Sequence, residues 1–275
     1  MPIYQVVILA LVQALTEFLP ISSTAHLFLF PWIFGWGDPG LTFTMAVHAG
    51  TLVAVLLYFL KTWLSLGLAG IGLKYPASAR PDEIAMHRRL FWFIVAATVP
   101  AALAGALLES SIETTFRSPY LMGAMLILVG VLMWWAESRA NLTRSIESLS
   151  FPDAMTIGVA QALALVPGVS RSGITITAGI FKGLTREASA RFTFLLSTPI
   201  IAGAAAKKLL DLRHVSIAPS EVTGLWLGAI VSAISGYLVI AFFMRYLQTR
   251  TLKIFIYYRI LFGIIVLLLA FLHKG

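Results

Sequence analysis

The stretch Gln13 to His26, QALTEFLPISSTAH, gathers a glutamate, a histidine and four hydroxyls inside a chain that is otherwise mostly apolar. Gln13 and Glu17 are four residues apart, so on a helix both side chains share one face. Pro20 then removes a backbone donor and ends that helix, and Ser22, Ser23 and Thr24 supply the residue types that begin a new one. The stretch therefore reads as a helix that breaks and restarts. What surrounds it decides what kind of break this is.

Of the 275 residues 59% are hydrophobic and 12% charged, and the mean hydropathy is +0.89, a profile that places the chain in a bilayer. No cysteine is present, which excludes disulfides, thiolate metal sites and cysteine nucleophiles. The net charge of +8 comes from basic residues in short segments between apolar runs, a pattern of membrane topology, and no nucleic-acid partner is expected. The first twenty residues lack a basic start and a small-residue cleavage site and run into Glu17, so no removable signal peptide is expected. There is no Walker loop, dinucleotide fingerprint or zinc-ligand spacing.

Six runs can cross a hydrocarbon layer of about 30 Å as helices: Leu41 to Leu60, Leu90 to Leu108, Pro119 to Ala136, Ala190 to Ala206, Val222 to Met244 and Ile254 to Leu272. Two further apolar stretches are interrupted: Pro2 to Ile33 by Pro20 with its serines, and Pro152 to Phe181 by Pro167-Gly168 and the segment Ser170 to Gly173. Hydrocarbon forbids exposed peptide groups, so each break must be buried in protein or line a wet cavity, as in a re-entrant helical hairpin. The interrupted stretches also align. Gln13-Ala14-Leu15 falls on Gln161-Ala162-Leu163 and Ser22 on Ser170 at an offset of 148, and Phe43-Thr44 falls on Phe192-Thr193 at 149. The expectation is one all-α membrane domain over residues 1–275, built as two repeats. Residues 1–145 and 150–275 each hold a re-entrant hairpin, about 2–33 and 152–181, followed by three spans. Three is odd, so the repeats lie in opposite orientation and their broken helices meet near the midplane.

Lys and Arg in the loops set the orientation. With Lys61 to Arg89 cytoplasmic, that side also receives Arg139, Arg144, Lys182, Arg186, Arg191, Arg245, Arg250, Lys253 and Arg259, against Arg117, Lys207, Lys208, Arg213 and Lys274 opposite. Both termini and the first hairpin's entry then lie outside.

Ionisable residues inside a membrane are costly, which makes Glu17 a functional candidate. Its carboxylate with the Gln13 amide oxygen suits a hard divalent cation, Mg²⁺ or Ca²⁺. Ser22, Ser23 and Thr24 offer donors, with Ser22 fitting a helix N-cap as well as a catalytic hydroxyl, and His26 suits proton transfer near neutrality. The second break, PGVSRSGIT from Pro167 to Thr175, has the composition of an anion cradle. Arg171 matches phosphate oxygens, Ser170, Ser172 and Thr175 add hydroxyls, and Gly168 and Gly173 allow tight backbone. A plain Arg171–Glu17 ion pair is the alternative, and it too brings the breaks together. His48 is expected to be a packing or supporting residue, and Glu109 with Glu113 a solvated helix end.

At these residues the chain resembles the bacterial undecaprenyl-diphosphatase family, also called bacitracin-resistance proteins. The family's first motif, Glu or Gln, three residues, then Glu, falls on Gln13 and Glu17, followed by Ser22, Ser23, Thr24 and His26. The second, Pro-Gly-x-Ser-Arg-Ser with a nearby threonine, falls on Pro167, Gly168, Ser170, Arg171, Ser172 and Thr175. The resemblance implies hydrolysis of undecaprenyl diphosphate to the monophosphate carrier reused for peptidoglycan, with a divalent cation. It also implies a plasma-membrane location and a site reached from the outer face. It assigns Arg171 to gripping the diphosphate with Ser170, Ser172 and Thr175, Glu17 to metal binding or nucleophile activation, and His26 to proton transfer. The nucleophile is Ser23 or a metal-bound water. Many relatives carry a second glutamate where this chain has Gln13, so here a single acid must suffice. Membrane lipids are the other expected partners, self-association into a homo-oligomer is left open, and a carrier that flips a polyprenyl phosphate is the rival reading.

Overall fold

The computed structural model describes residues 1–73, 75, 80–115, 118–139, 141–211 and 219–272, with the side chains of 109–115, 208–211, 219 and 220 outside the description. Arg117, Arg213 and Lys274, and the side chains of Glu109, Glu113 and Lys208, all named above, therefore lie outside it. The described residues form the helices α1 (Ile3–Phe18), α2 (Ser23–Phe34), α3 (Gly40–Tyr58), α4 (Leu60–Gly70), α5 (Pro81–Thr115) and α6 (Pro119–Arg139). After a single 3-10 turn at Ile146–Ser148 come α7 (Phe151–Leu163), α8 (Arg171–Phe181), α9 (Arg186–Asp211), α10 (Pro219–Leu247) and α11 (Lys253–Leu272). Among the described residues there is no strand element, only one isolated bridge between Arg144 and Leu184. Six helices are long and apolar enough to span: α3, α5 from Pro81 to Leu108, α6, α9 from Arg186 to Lys207, α10 from Glu221 to Leu247, and α11.

Both expected breaks are present, and they are built alike. After α1 the chain unwinds through Leu19 to Ser22, and after α7 through Ala164 to Ser170. Ser22 and Ser170 both take positive φ, 79° and 72°, the only non-glycine residues described that do so. Each side chain accepts from a backbone N–H three residues on, Ser22 from Ala25 and Ser170 from Gly173, so each is the N-cap of the returning helix. A left-handed backbone at a non-glycine residue carries strain, and surrounding contacts must hold it. Gly168, at φ 95°, turns the second break where an added Cβ would stand 2.8 Å from the Met122 carbonyl.

Helix pairing follows small residues. Transmembrane helices gain by close packing and hydrogen bonds more than by excluding water. α6 and α11 cross where Gly123 faces Gly263, and a Cβ on Gly263 would lie 2.8 Å from the Gly123 carbonyl. α1 packs on α10 and α7 on α5, while α3 meets α10 and α9 meets α5. Phe18, immediately after Glu17, stacks edge-on against Phe194 of α9 at 5.6 Å, which anchors the end of α1 in the core.

Two expectations change. The segment from Lys61 to Arg89, read as a loop, contains α4, because Leu66, Ala69 and Gly70 recur at helical spacing and bury against α5. The Arg88 guanidinium closes α4 by donating to the Ala69 carbonyl at 2.9 Å. Arg259, counted among the cytoplasmic loop cations, is instead fully buried in α11. A guanidinium can stand there only because backbone carbonyls surround it.

Candidate active site

Helix α1 delivers Gln13 and Glu17 one turn apart, and the break turns the chain so that Ser23, at the start of α2, comes back to the same carboxylate. Glu17 Oε2 accepts from Ser23 Oγ at 2.6 Å and from Gln13 Nε2 at 3.2 Å. The second break brings Arg171 to the other carboxylate oxygen, with Nη1 3.6 Å from Glu17 Oε1. Helix α3 adds His48, whose Nε2 lies 3.7 Å from Glu17 Oε2. Its Nδ1 lies 2.8 Å from the Thr44 carbonyl, an acceptor only, so Nδ1 carries the proton and Nε2 turns toward the carboxylate.

These side chains line a small niche of about 30 Å³, together with Thr16, Thr24, Ala164 and Ser170. The niche shares Thr24, His48 and Arg171 with a neighbouring groove of about 500 Å³ walled by Phe28, Trp32, Trp36, Met45, Leu165 and Ile201 among others. A polar niche beside a largely apolar groove suits an amphiphile with a charged head. Two buried polar atoms at the niche have no hydrogen-bond partner: Arg171 Nη1 and Gln13 Oε1. An unused guanidinium donor beside hydroxyls and the N-termini of α2 and α8 calls for an anion.

Of the residues singled out from sequence, Glu17, Ser23, Thr24, Ser170 and Arg171 line the niche, and Gln13 stands one turn behind Glu17. The remainder hold the breaks in place. Ser22 caps α2, and Ser172 Oγ donates across to the Leu19 carbonyl at 3.0 Å, tying the two breaks together. Gly168 and Gly173 give close backbone approach. Thr175, expected at the phosphate, donates to the Arg171 carbonyl at 2.7 Å and accepts from Thr193 at 2.9 Å, so its hydroxyl is spent in the α8–α9 contact.

His26 also departs from expectation. Its Nδ1 sits 2.7 Å from the Ser22 carbonyl and its Nε2 2.8 Å from the Tyr258 hydroxyl, and the ring stacks on Phe262 at 4.7 Å. These contacts with Tyr258 and Phe262 hold it against α11, so it bolts α2 to that helix. The imidazole at the niche is His48, which the sequence reading set aside. The available signal was an ionisable residue in the middle of an apolar span, the same argument that singled out Glu17. Arg259, six residues into the run from Ile254 to Leu272, gave the same signal.

With this geometry in hand, comparison with known proteins is specific. The family model described as bacitracin resistance protein BacA matches residues 6–265. The undecaprenyl-diphosphatase of Pelotomaculum thermopropionicum is 45% identical over 270 residues, covering 98% of this chain and 97% of the relative. That of Moorella thermoacetica is 44% identical over 276 residues, covering both chains fully. Undecaprenyl-diphosphatase 2 of Stutzerimonas stutzeri is 44% identical over 272 residues, 98% of each chain.

Proposed function

The chain belongs to the bacitracin resistance protein family, and from that membership and the geometry of the niche we propose a membrane phosphatase that converts undecaprenyl diphosphate to undecaprenyl phosphate and inorganic phosphate. Such a reaction returns the lipid carrier to peptidoglycan synthesis and underlies bacitracin resistance. The observation that carries the mechanism is the Ser23–Glu17 hydrogen bond of 2.6 Å beside Arg171 Nη1, which is ion-paired with Glu17 but makes no hydrogen bond.

The diphosphate enters the niche and the isoprenoid tail lies along the groove. Arg171 Nη1 and the Ser170 hydroxyl take phosphoryl oxygens, and the amide ends of α2 and α8 add favourable dipoles. Ser23 Oγ attacks the terminal phosphorus, and its proton passes to Glu17 as the bridging P–O bond breaks and undecaprenyl phosphate leaves. Water then displaces Ser23 from phosphorus, Glu17 returns the proton to Oγ, and inorganic phosphate departs with the oxygen and hydrogens of that water. His48 flanks the carboxylate at the mouth of the niche, where the transferred group must pass.

The residues present fit a divalent cation, Mg²⁺ or Ca²⁺, that arrives with the substrate. Among the described residues no cluster of three or more metal-type side chains exists, so a cage made by protein alone is not on offer. Glu17 would supply a carboxylate donor, and Gln13, whose Oε1 has no hydrogen-bond partner, would add an amide oxygen by turning that group over; Mg²⁺ is commonly held by one or two carboxylates plus substrate phosphates. When bound, such an ion would neutralise charge on the transferred phosphoryl group.

The finer architecture belongs to the same proposal. α1–α2 and α7–α8 act as re-entrant hairpins of two inverted repeats, supported by the paired serines at positive φ and by helix pairings that exchange when the halves are interchanged. The plasma membrane is the site of action. The groove is walled by the segment from Trp36 to Leu41 and by Ala204 and Ala205 near the end of α9, both on the side that the loop cations leave outside. A cysteine at Gly37 should react with an impermeant thiol reagent on spheroplasts and one at Asp82 should not; the opposite pattern inverts the orientation.

The decisive assay is phosphate release from undecaprenyl diphosphate by purified protein, with Mg²⁺, Ca²⁺ or EDTA, beside Ser23→Ala and Arg171→Ala. Release that requires the cation and is lost in both folded variants supports the reading. A folded wild type that binds the lipid and releases nothing would move it to a lipid-phosphate carrier.

A further inference from the structure

Arg259 is fully buried in α11 and forms no ion pair among the described residues. Every bond it makes to oxygen ends on a backbone carbonyl. Nε donates to Leu126 of α6 at 3.1 Å, Nη1 to Pro20 in the first break at 2.9 Å, and Nη2 to Gly168 and Val169 in the second at 3.1 and 3.0 Å. One guanidinium thus joins the unwound segments of both breaks to a spanning helix.

An arginine in apolar surroundings is costly enough that its retention calls for a function, yet Arg259 lines neither the niche nor the groove. Its position suggests what the function is. Pro20, Gly168 and Val169 lie in the unwound segments beyond α1 and α7, so their carbonyls have no helical partner and, once buried, need a donor from elsewhere. The guanidinium satisfies them from behind. The positive ends of α2 and α8 are then left facing the niche. The fit is close: a Cβ on Gly173, at the start of α8, would lie 2.5 Å from Arg259 Nη1. The planar fork matters too, because three nitrogens at fixed angles reach three separate segments at once.

We propose that Arg259 is a positioning residue for hydrolysis, fixing the Ser23–Glu17 pair of the first break against the Arg171 grip of the second. This rests on the phosphatase reading above. The two catalytic halves come from different breaks, and besides Arg259 the described side-chain links between them are Ser172 to the Leu19 carbonyl and the Arg171–Glu17 pair. Loosening the pin therefore disturbs the line of attack more than the phosphate grip, which the second break holds within itself. Turnover falls and KM changes little.

The test compares wild type, Arg259→Met and Arg259→Lys in detergent. Each is read for kcat, KM, melting temperature and binding of a non-hydrolysable methylene-bridged diphosphate. Arg259→Met is expected to lose about a hundredfold in kcat, the scale of a displacement of about 1 Å between reacting groups, with KM within about threefold of wild type. Arg259→Lys keeps the charge but cannot span all three segments, so it recovers part of the loss. If Arg259→Met does not fold, the lysine variant decides, with its active fraction counted by analogue binding. Normal kcat per binding-competent molecule in either folded variant overturns the proposal, as does a rise in KM that accounts for the whole effect. An inactive wild type would instead refute the phosphatase reading.

Discussion

Replacing Glu17 by glutamine should separate binding from turnover in opposite directions. The change is nearly isosteric and keeps hydrogen-bonding capacity toward Ser23 and Gln13, so its main effect is removal of one negative charge. That charge sits 3.6 Å from Arg171 Nη1, and a phosphoryl oxygen bound to the same guanidinium would lie about 5 Å from it. At an effective dielectric of about 20, two unit charges about 5 Å apart repel by about 3 kcal/mol. The Arg171 side chain is 27% exposed and salt screens the niche, which brings the figure to about 1–2 kcal/mol. The methylene-bridged diphosphate should therefore bind about five- to thirtyfold more tightly to Glu17→Gln than to wild type, measured by calorimetry in EDTA so that no cation intervenes. Turnover with cation should fall by about 10² to 10⁴, the range for loss of a general base. Weaker analogue binding in EDTA would refute the reasoning, because it would mean that the carboxylate does not stand beside the bound phosphate.

Other perturbations reach further parts of the molecule. His26→Gln should lower activity through the start of α2 while leaving the pH profile of kcat/KM unchanged, and a displaced profile would restore a proton-transfer role to His26. His48→Leu should cost about a hundredfold in turnover with little change in melting temperature, the scale of one lost polar group at the reacting centre; unchanged turnover would remove His48 from the site. Gly168→Ala places a Cβ 2.8 Å from the Met122 carbonyl at a φ of 95°, and should destabilise the protein by about 1–3 kcal/mol, seen as a lower melting temperature. At Asp153, burial pushes the carboxyl up, but hydrogen bonds from Arg144 and Ser150 outweigh it and hold the group below its ordinary value of 3.8. A carboxyl depressed in the folded state contributes stability that is complete above that value and is lost as pH falls through the folded one. Asp153→Asn should therefore lower the melting temperature at neutral pH and flatten its decline below about pH 4, whereas an unchanged acid limb would exclude Asp153 as a source of that decline.

How much of this was legible in the chain differs by kind of feature. Apolar run length is set by the thickness of the hydrocarbon layer, so the six spans could be read directly, each to within a few residues apart from the extension of α5 back to Pro81. The two breaks were equally plain, since proline and serine clusters interrupt helices through local backbone chemistry. Spacing placed Gln13 and Glu17 on one face, and composition singled out Arg171, which lines the niche beside Glu17. Local signals of this sort do not depend on what packs where.

Direction was the part that the sequence left undetermined. His26 and His48 are both histidines in apolar surroundings, and which of them meets Glu17 depends on the rotation of α2 and α3 about their axes, which is fixed by contacts with α11 and α10. Thr175 and Ser172 stand four residues and one residue from Arg171 at the niche, yet their hydroxyls are taken by Thr193 and Leu19, partners from other parts of the chain. Arg259 counts as one more cation along the chain, and it becomes the pin of both breaks only when residues 239 and 91 positions away fold around it. Periodicity and composition settle which segments cross the membrane and where they break, because those depend on neighbours along the chain. Which side chain faces the reacting group depends on neighbours across it, and only the packed helices decide that.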